Sequence, residues 1–169
     1  YVGAEVSIGS LMVNVLGFLK GLNHAKAADM LALYWGGAMV GRFLGSAVMA
    51  RVAPNRYLAF NASVATALLV IAIMVGKGNA DIAMWALIAI GFFNSIMFPT
   101  IFSLATKNLG KFTNSASGIL CTAIVGGALI PVLQGKIADD FGMMISYVAP
   151  AVCYLYIVFF ALKGYKADD

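Results

Sequence analysis

The sequence has little of what a soluble enzyme or a secreted domain is built from. Charged residues make up 11% of its 169 residues, against about a quarter in soluble domains. Its two cysteines, Cys121 and Cys153, both lie inside apolar stretches, so we expect them to pack in the interior and to form no disulfide framework.

Catalytic and metal-binding patterns are also missing. The single histidine, His24, falls in a predicted loop, so neither a Cys/His metal cluster nor a Ser–His pair within the membrane can be drawn. Gly110-Lys111 lacks the upstream glycine of a phosphate-binding loop. We therefore expect a protein that is not an enzyme and that holds no metal and no cofactor.

Apolar sequence is what the chain has in abundance. Hydrophobic residues make up 62% of it, and the mean hydropathy is +0.93, which indicates an integral membrane protein with the lipid bilayer as its partner. The pI of about 9.1 comes from short loops between apolar spans, where basic residues face an anionic cytoplasmic leaflet. A nucleic-acid partner is not expected.

An all-α integral membrane bundle of six transmembrane helices is predicted, with neighbouring helices antiparallel because the connections are short. Six Lys and Arg residues fall on the side of Arg56 and the C-terminus, and four on the other. This bias puts the C-terminus in the cytoplasm. The chain opens in apolar sequence with Tyr1 in place of Met, which indicates a piece of a longer protein. The predicted spans are about 1–19, 30–50, 57–76, 82–106, 112–134 and 141–162.

The most informative span is Ile82–Thr106, which has 25 residues and no charge. Asn94 and Ser95 lie in its middle, and Pro99 follows four residues after Ser95. Proline has no N–H, so the Ser95 carbonyl is expected to lose its helical partner. Such a carbonyl is tolerated at membrane depth only where protein or a wet cavity satisfies it. We expect this helix to line a cavity inside the bundle.

Glu5 in the first span is a functional-site candidate, because a carboxylate within a membrane is costly. The alternative is that Glu5 lies at the headgroup level. A stripe of small and polar residues on the opposite face, which includes Gly3, Ser7 and Asn14, is typical of helix packing. Glu5 and Asn14 are therefore not expected to share a site.

The second span carries glycines four apart, at Gly37, Gly41 and Gly45, which favours close contact with a neighbouring helix. Arg42 lies beside this ridge and is expected to face the bundle or to reach the cytoplasmic end, since a lipid-facing Arg is costly. Trp35 is either a ring for substrate or part of an interfacial aromatic belt.

The fifth span contains Pro131, which frees the carbonyl of Gly127 next to the Gly126-Gly127 pair. This is a candidate flex point, although helix packing alone also explains the two glycines. The third and sixth spans have few polar residues at mid-depth and are expected to form an outer scaffold.

The turn after the second span, residues 51–56 (RVAPNR), follows the segment 41–45 (GRFLG). Together they resemble the loop motif of the major facilitator superfamily, although Arg51 stands where that motif usually carries an acid. Three further stretches resemble the fucose permease branch of that superfamily, and within it the bacterial glucose/galactose transporters: residues 1–5 (YVGAE), 34–42 (YWGGAMVGR) and 98–104 (FPTIFSL), with 107–110 (KNLG) following.

The resemblance covers essentially the whole chain and implies the C-terminal six-helix half of a twelve-helix transporter of the bacterial inner membrane, whose N-terminal half is a partner in the same chain. It implies cation-coupled symport of a monosaccharide, glucose/galactose or fucose-like, with H⁺ or Na⁺ as coupling ion. Glu5, Asn94, Trp35 and Phe98 are the expected substrate-binding residues, with Glu5 also the coupling candidate. Gating or structural roles are expected for Arg42, Arg56, Pro99, Gly126, Gly127 and Pro131.

Two alternatives stay open. The same fold could carry another small solute, such as an amino sugar or a drug-like compound. A non-transporting bundle, such as a sensor or channel subunit, is disfavoured because a pore needs polar residues repeated along one helix face, whereas here they are single and scattered.

Overall fold

A computed structural model of the chain describes residues 1–76 and 78–165, and in these ranges it contains helices and no strand. Three 3-10 turns and one π turn extend or join the α-helices, at Gly110–Phe112, Ala123–Val125, Ile145–Tyr147 and Phe160–Gly164. The α-helices are α1 Val2–Lys20, α2 His24–Met49, α3 Pro54–Val75, α4 Ala80–Asn94, α5 Met97–Thr106, α6 Thr113–Thr122, α7 Gly126–Phe141 and α8 Val148–Phe159.

Within the described residues, five helical segments are long and apolar enough to cross a membrane. They are Val2–Lys20, Pro54–Val75, Ala80–Thr106, Gly110–Phe141 and Ile145–Gly164. The 26-residue α2 is not among these five, and it carries Lys26, Asp29 and Arg42. With α2 included, the number and order of the segments match the six predicted spans.

Two helices extend well beyond the spans predicted from the sequence. His24, predicted in a loop, is the first residue of α2, because the side chain of Asn23 caps that helix by accepting a hydrogen bond from Lys26 N at 2.9 Å. Helix α7 continues seven residues beyond the predicted end at 134 and stops at Phe141, followed by Gly142 at φ +101°. Hydropathy underestimates the length of both helices, since a polar turn stays helical where it is capped.

The predicted fourth span is divided into α4 and α5. Asn94 ends α4, Ser95 and Ile96 form a turn, and α5 begins at Met97, two residues before Pro99. The division lies within one turn upstream of the proline, where the missing N–H weakens the helix.

Helix α4 is the centre of the bundle and packs against both α2 and α3. Helix α1 lies between α2 and α7, while α8 closes the far side against α1 and α3. Helix α3 buries Leu58, Ala65 and Leu69 on one face and exposes Phe60 and Met74 on the other. A helix with one buried and one exposed apolar face fits the scaffold role expected for the third span.

The glycine ridge of α2 packs against α4, as its spacing predicts. A methyl group on Gly41 would collide with the carbonyl oxygen of Phe92 and would lie 2.7 Å from Ser95 Oγ. Gly45 also lies close to Ile96, whose Cβ would be 3.3 Å from an added methyl group. The backbone of α2 therefore runs directly beside the division between α4 and α5.

Candidate functional site

Glu5, Trp35 and Arg42 line one cavity of about 250 Å³. Trp35, Ala38, Met39 and Arg42 follow the i, i+3, i+4, i+7 spacing of a single helix face of α2, and α1 contributes Glu5 from its first turn. A carboxylate, a guanidinium and an indole ring thus share one small space, which offers both hydrogen-bonding groups and an aromatic surface to a solute.

Trp35 lies near the middle of its helix. It is 11 residues beyond His24, a rise of about 16 Å, and its indole Cζ2 would lie 3.1 Å from a methyl group on Gly9 of α1. Its ring meets that of Tyr34 edge-on, with centroids 5.1 Å apart. Of the two interpretations left open by the sequence, this packing against α1 favours a wall of the cavity over an interfacial belt.

Asn94 is fully buried behind the cavity and is held by tyrosines. Its Nδ2 donates to the Tyr34 hydroxyl at 2.8 Å, and its Oδ1 accepts from the Tyr154 hydroxyl at 2.6 Å. The Tyr34 hydroxyl in turn donates to the backbone carbonyl of Glu5 at 3.2 Å. The side chain of Asn94 therefore orders the wall that carries Glu5, and the tyrosines already occupy both ends of its amide.

Phe98 borders a separate cavity, which it shares with Tyr1. The rings of Tyr1 and Phe98 are 6.3 Å apart, and both line a space of about 100 Å³ against α6 and the 3-10 turn that follows it. The four residues predicted to bind substrate are thus divided: Glu5 and Trp35 share one cavity, Asn94 supports it from behind, and Phe98 borders a neighbouring space.

The residues predicted to gate fall into three places. Arg42 donates from Nε to the Ser95 carbonyl at 3.1 Å, the carbonyl that Pro99 was predicted to free. Arg56 lies exposed in the first turn of α3. Gly127 meets α1, where its added methyl would lie 3.0 Å from Val2 Cγ1.

The stretch around Gly126 combines a change of helix type with close packing. The 3-10 turn Ala123–Val125 ends directly before Gly126, and Pro131 lies inside the helix that follows. Gly3 of α1 packs so closely against this region that a methyl group there would collide with Ile130. Both interpretations given from the sequence, a flex point and a packing surface, therefore have a structural counterpart here.

Sequence reasoning missed two sets of residues. The hydroxyls of Tyr1, Tyr34 and Tyr154 organise the site around Asn94, and a buried Gln134 joins Ser7 of α1 to Ser146 at the start of the last span. A signal did exist, because a tyrosine or glutamine inside an apolar span must find a hydrogen-bond partner. What the sequence could not supply was the identity of that partner.

Curated relatives match nearly the whole chain. A putative glucose/galactose transporter of Helicobacter pylori strain J99 is 54% identical over 174 residues, covering 100% of this chain and 42% of the relative. The glucose/galactose transporter of Brucella abortus is 53% identical over 169 residues, covering 99% and 40%. The L-fucose-proton symporter of Escherichia coli K12 is 32% identical over 163 residues, covering 95% and 36%. No protein-family model matches the chain.

The fold agrees with these matches. The crystal structure of the major facilitator superfamily transporter FucP in its outward conformation superposes with a TM-score of 0.93 at 31% identity, covering 99% of this chain and 40% of that one. The chain thus spans about two fifths of the length of the proteins it matches. The related proteins are named as transporters, not as enzymes. By sequence and by fold, this chain belongs to the major facilitator superfamily, where it resembles the glucose/galactose and L-fucose transporters and corresponds to their C-terminal six-helix half.

Proposed function

We propose that the protein containing this chain is a cation-coupled symporter that carries a monosaccharide by alternating access. The observation that carries the proposal is the cavity in which Glu5, Arg42 and Trp35 meet. Sugars are recognised by hydrogen bonds to their hydroxyls together with contact to an aromatic face, and such sites lie near the midplane of transporter folds. The names of the relatives make glucose or galactose the first sugars to test, and fucose the next.

The cavity is one wall of a larger site in this proposal. Its volume of about 250 Å³ lies just under the range of about 300–1,000 Å³ typical of ligand pockets. The other wall comes from the N-terminal six-helix half, and rocking of the two halves exposes the site to each side in turn. The protein lies in the bacterial inner membrane with its C-terminus in the cytoplasm, as the Lys/Arg bias indicates.

Glu5 is the proposed link between sugar and coupling ion, which is H⁺ or Na⁺. An intramembrane carboxylate facing a cavity is the kind of group that binds a proton, a sodium ion or sugar hydroxyls. Arg42 lines the same cavity and supplies the opposite charge beside Glu5.

Labelled-hexose uptake by the full-length protein in proteoliposomes, under an imposed proton or sodium gradient, tests the proposal. The wild type is compared with Glu5→Gln, and Asp29→Asn, which changes an exposed carboxylate in the first turns of α2, serves as the matched control. Loss of gradient-driven uptake with intact sugar counterflow assigns Glu5 to coupling, and loss of both with the fold intact assigns it to sugar binding. Full activity in Glu5→Gln would contradict a role of Glu5 in either coupling or sugar binding.

A different solute is tested in the same liposomes. Competition of amino sugars and of lipophilic cations against labelled glucose ranks the candidates. Absence of uptake for every hexose, with competition by another class, would move the assignment to that class. Ion conductance without solute uptake would instead support a channel.

A further inference from the structure

The division between α4 and α5 leaves backbone carbonyls that the helix cannot pair. Pro99 has no N–H, so no residue at the fourth position beyond Ser95 can donate to the Ser95 carbonyl. Ser95 is 3% exposed and Asn94 is fully buried, so both residues lie inside the bundle. A buried carbonyl without a donor is costly, above all at membrane depth.

Two neighbouring helices supply the missing donors. The Nε of Arg42 on α2 donates to the Ser95 carbonyl at 3.1 Å, and the Tyr1 hydroxyl at the start of α1 donates to the Asn94 carbonyl at 2.7 Å. Among the described residues, the guanidinium of Arg42 makes this one hydrogen bond. The bend is therefore attached at consecutive carbonyls to two different helices.

The approach of α2 makes the Arg42 contact possible. Gly41, the residue before Arg42, has no room for a methyl group against Phe92 and Ser95, so the two backbones lie almost in contact. The bond uses Nε, which is the inner nitrogen of the side chain, and Arg42 also lines the cavity with Glu5 and Trp35. One side chain thus contacts both the bend and the candidate site.

We propose that Arg42 is a positioning residue, which holds the bend between α4 and α5 by capping the carbonyl that Pro99 leaves free. Held in this way, the bend fixes Asn94 and its tyrosines on one side and the start of α5, with Phe98, on the other. The capping contact is independent of what the protein transports, whereas its consequence for substrate affinity rests on the proposed function. Removing Arg42 is expected to destabilise the bend, because Pro99 leaves the Ser95 carbonyl without a donor from its own helix.

The dependence of the Arg42 contact on Pro99 can be tested with a double-mutant cycle in the full-length protein. Arg42→Met removes the donor and keeps an apolar stem of similar length. Pro99→Ala restores an N–H that can pair with the Ser95 carbonyl inside the helix. The melting temperature in detergent should fall in Arg42→Met, and the fall should shrink by at least about half when Ala replaces Pro99, because contacting pairs are not additive. Equal losses in both backgrounds would overturn the proposal.

Two matched controls use residues of the same kinds elsewhere. Arg51→Met removes an exposed arginine from the turn that follows α2, and its cost should not depend on residue 99. Pro131→Ala restores a helical N–H inside α7, and it should leave the cost of Arg42→Met unchanged. Rescue of Arg42→Met by Pro131→Ala would show general stiffening of the bundle and would overturn the specific role.

Amide hydrogen exchange measures the stability of the bend and requires neither transport activity nor the Pro99 variant. Loss of Arg42 should speed exchange in residues 95–101 and leave α3 unchanged, whereas unchanged exchange at 95–101 would contradict the proposal. In uptake assays, the KM for the sugar should rise in Arg42→Met. It should return toward the wild-type value when Pro99→Ala is added. A KM that stays raised would assign the guanidinium to direct contact with the solute and overturn the positioning role. If no solute is transported, the melting and exchange measurements still decide.

Discussion

Asn94 is the residue on which four helices of this chain converge. Its amide bonds to Tyr34 of α2 and Tyr154 of α8, and its backbone carbonyl bonds to Tyr1 at the start of α1. The sequence identifies Asn94 as a polar group at mid-depth and so predicts that it has a role in the cavity. It does not predict that tyrosines bond to both ends of the amide and to the backbone carbonyl, because the three tyrosines come from segments distant in sequence, and only the packed bundle brings them together.

Removing the hydroxyl of Tyr154 should destabilise the protein. In Tyr154→Phe, the Oδ1 of Asn94 loses its donor at a fully buried position, and an unsatisfied buried polar group costs about 1–3 kcal/mol. The measurement is the melting temperature of the full-length protein in detergent. Tyr156→Phe is the control, because Tyr156 lies on the same helix and is 67% exposed. Similar effects of the two changes would argue against the network as a source of stability.

The bend between α4 and α5 shows what can be predicted at the scale of an element. Pro99 predicts where the helix weakens, and the spacing of Gly37, Gly41 and Gly45 predicts a close helix contact. The structure places these two features against each other, so that α2 packs directly beside the bend. That pairing could not be predicted, since neither pattern contains information about the register between α2 and α4. The polar ends of α2 and α7 were missed because hydropathy stops at the first charges.

Two glycine substitutions in α2 should have opposite effects. Gly41→Ala places a methyl group against the Phe92 carbonyl and Ser95 Oγ, and separating the two helices should cost about 1–3 kcal/mol, as overpacking does. Gly36→Ala meets no atom within 4 Å, and it should stabilise the helix by about 0.5–1 kcal/mol. Thermal melting of both variants checks the pair. Equal effects would mean that Gly41 has room for a methyl group, and that α2 and α4 are not in close contact there.

The distribution of buried surface gives the whole molecule two different sides. In the most apolar 18-residue window of Ala80–Thr106, 56% of the residues are buried, whereas in that of Gly110–Phe141 none is. Lipid or another protein surface must cover the apolar side chains that this window exposes. The cavity of Glu5, Arg42 and Trp35 is likewise half-open, with the Trp35 side chain 45% exposed.

The six-helix half should therefore be inactive by itself and should regain activity only with its partner half. In the proposed mechanism, alternating access requires two walls that move against each other, and this chain would supply one of them. Reconstituted alone, residues 1–169 should show no gradient-driven hexose uptake above empty liposomes, although circular dichroism should report a helical protein. Co-expression with the N-terminal half as a separate chain should restore uptake, and Glu5→Gln in this half should remove the gradient-driven part again. Uptake by the isolated half would mean that the cavity described here is a complete pathway, and the two-wall mechanism would then be wrong for this protein.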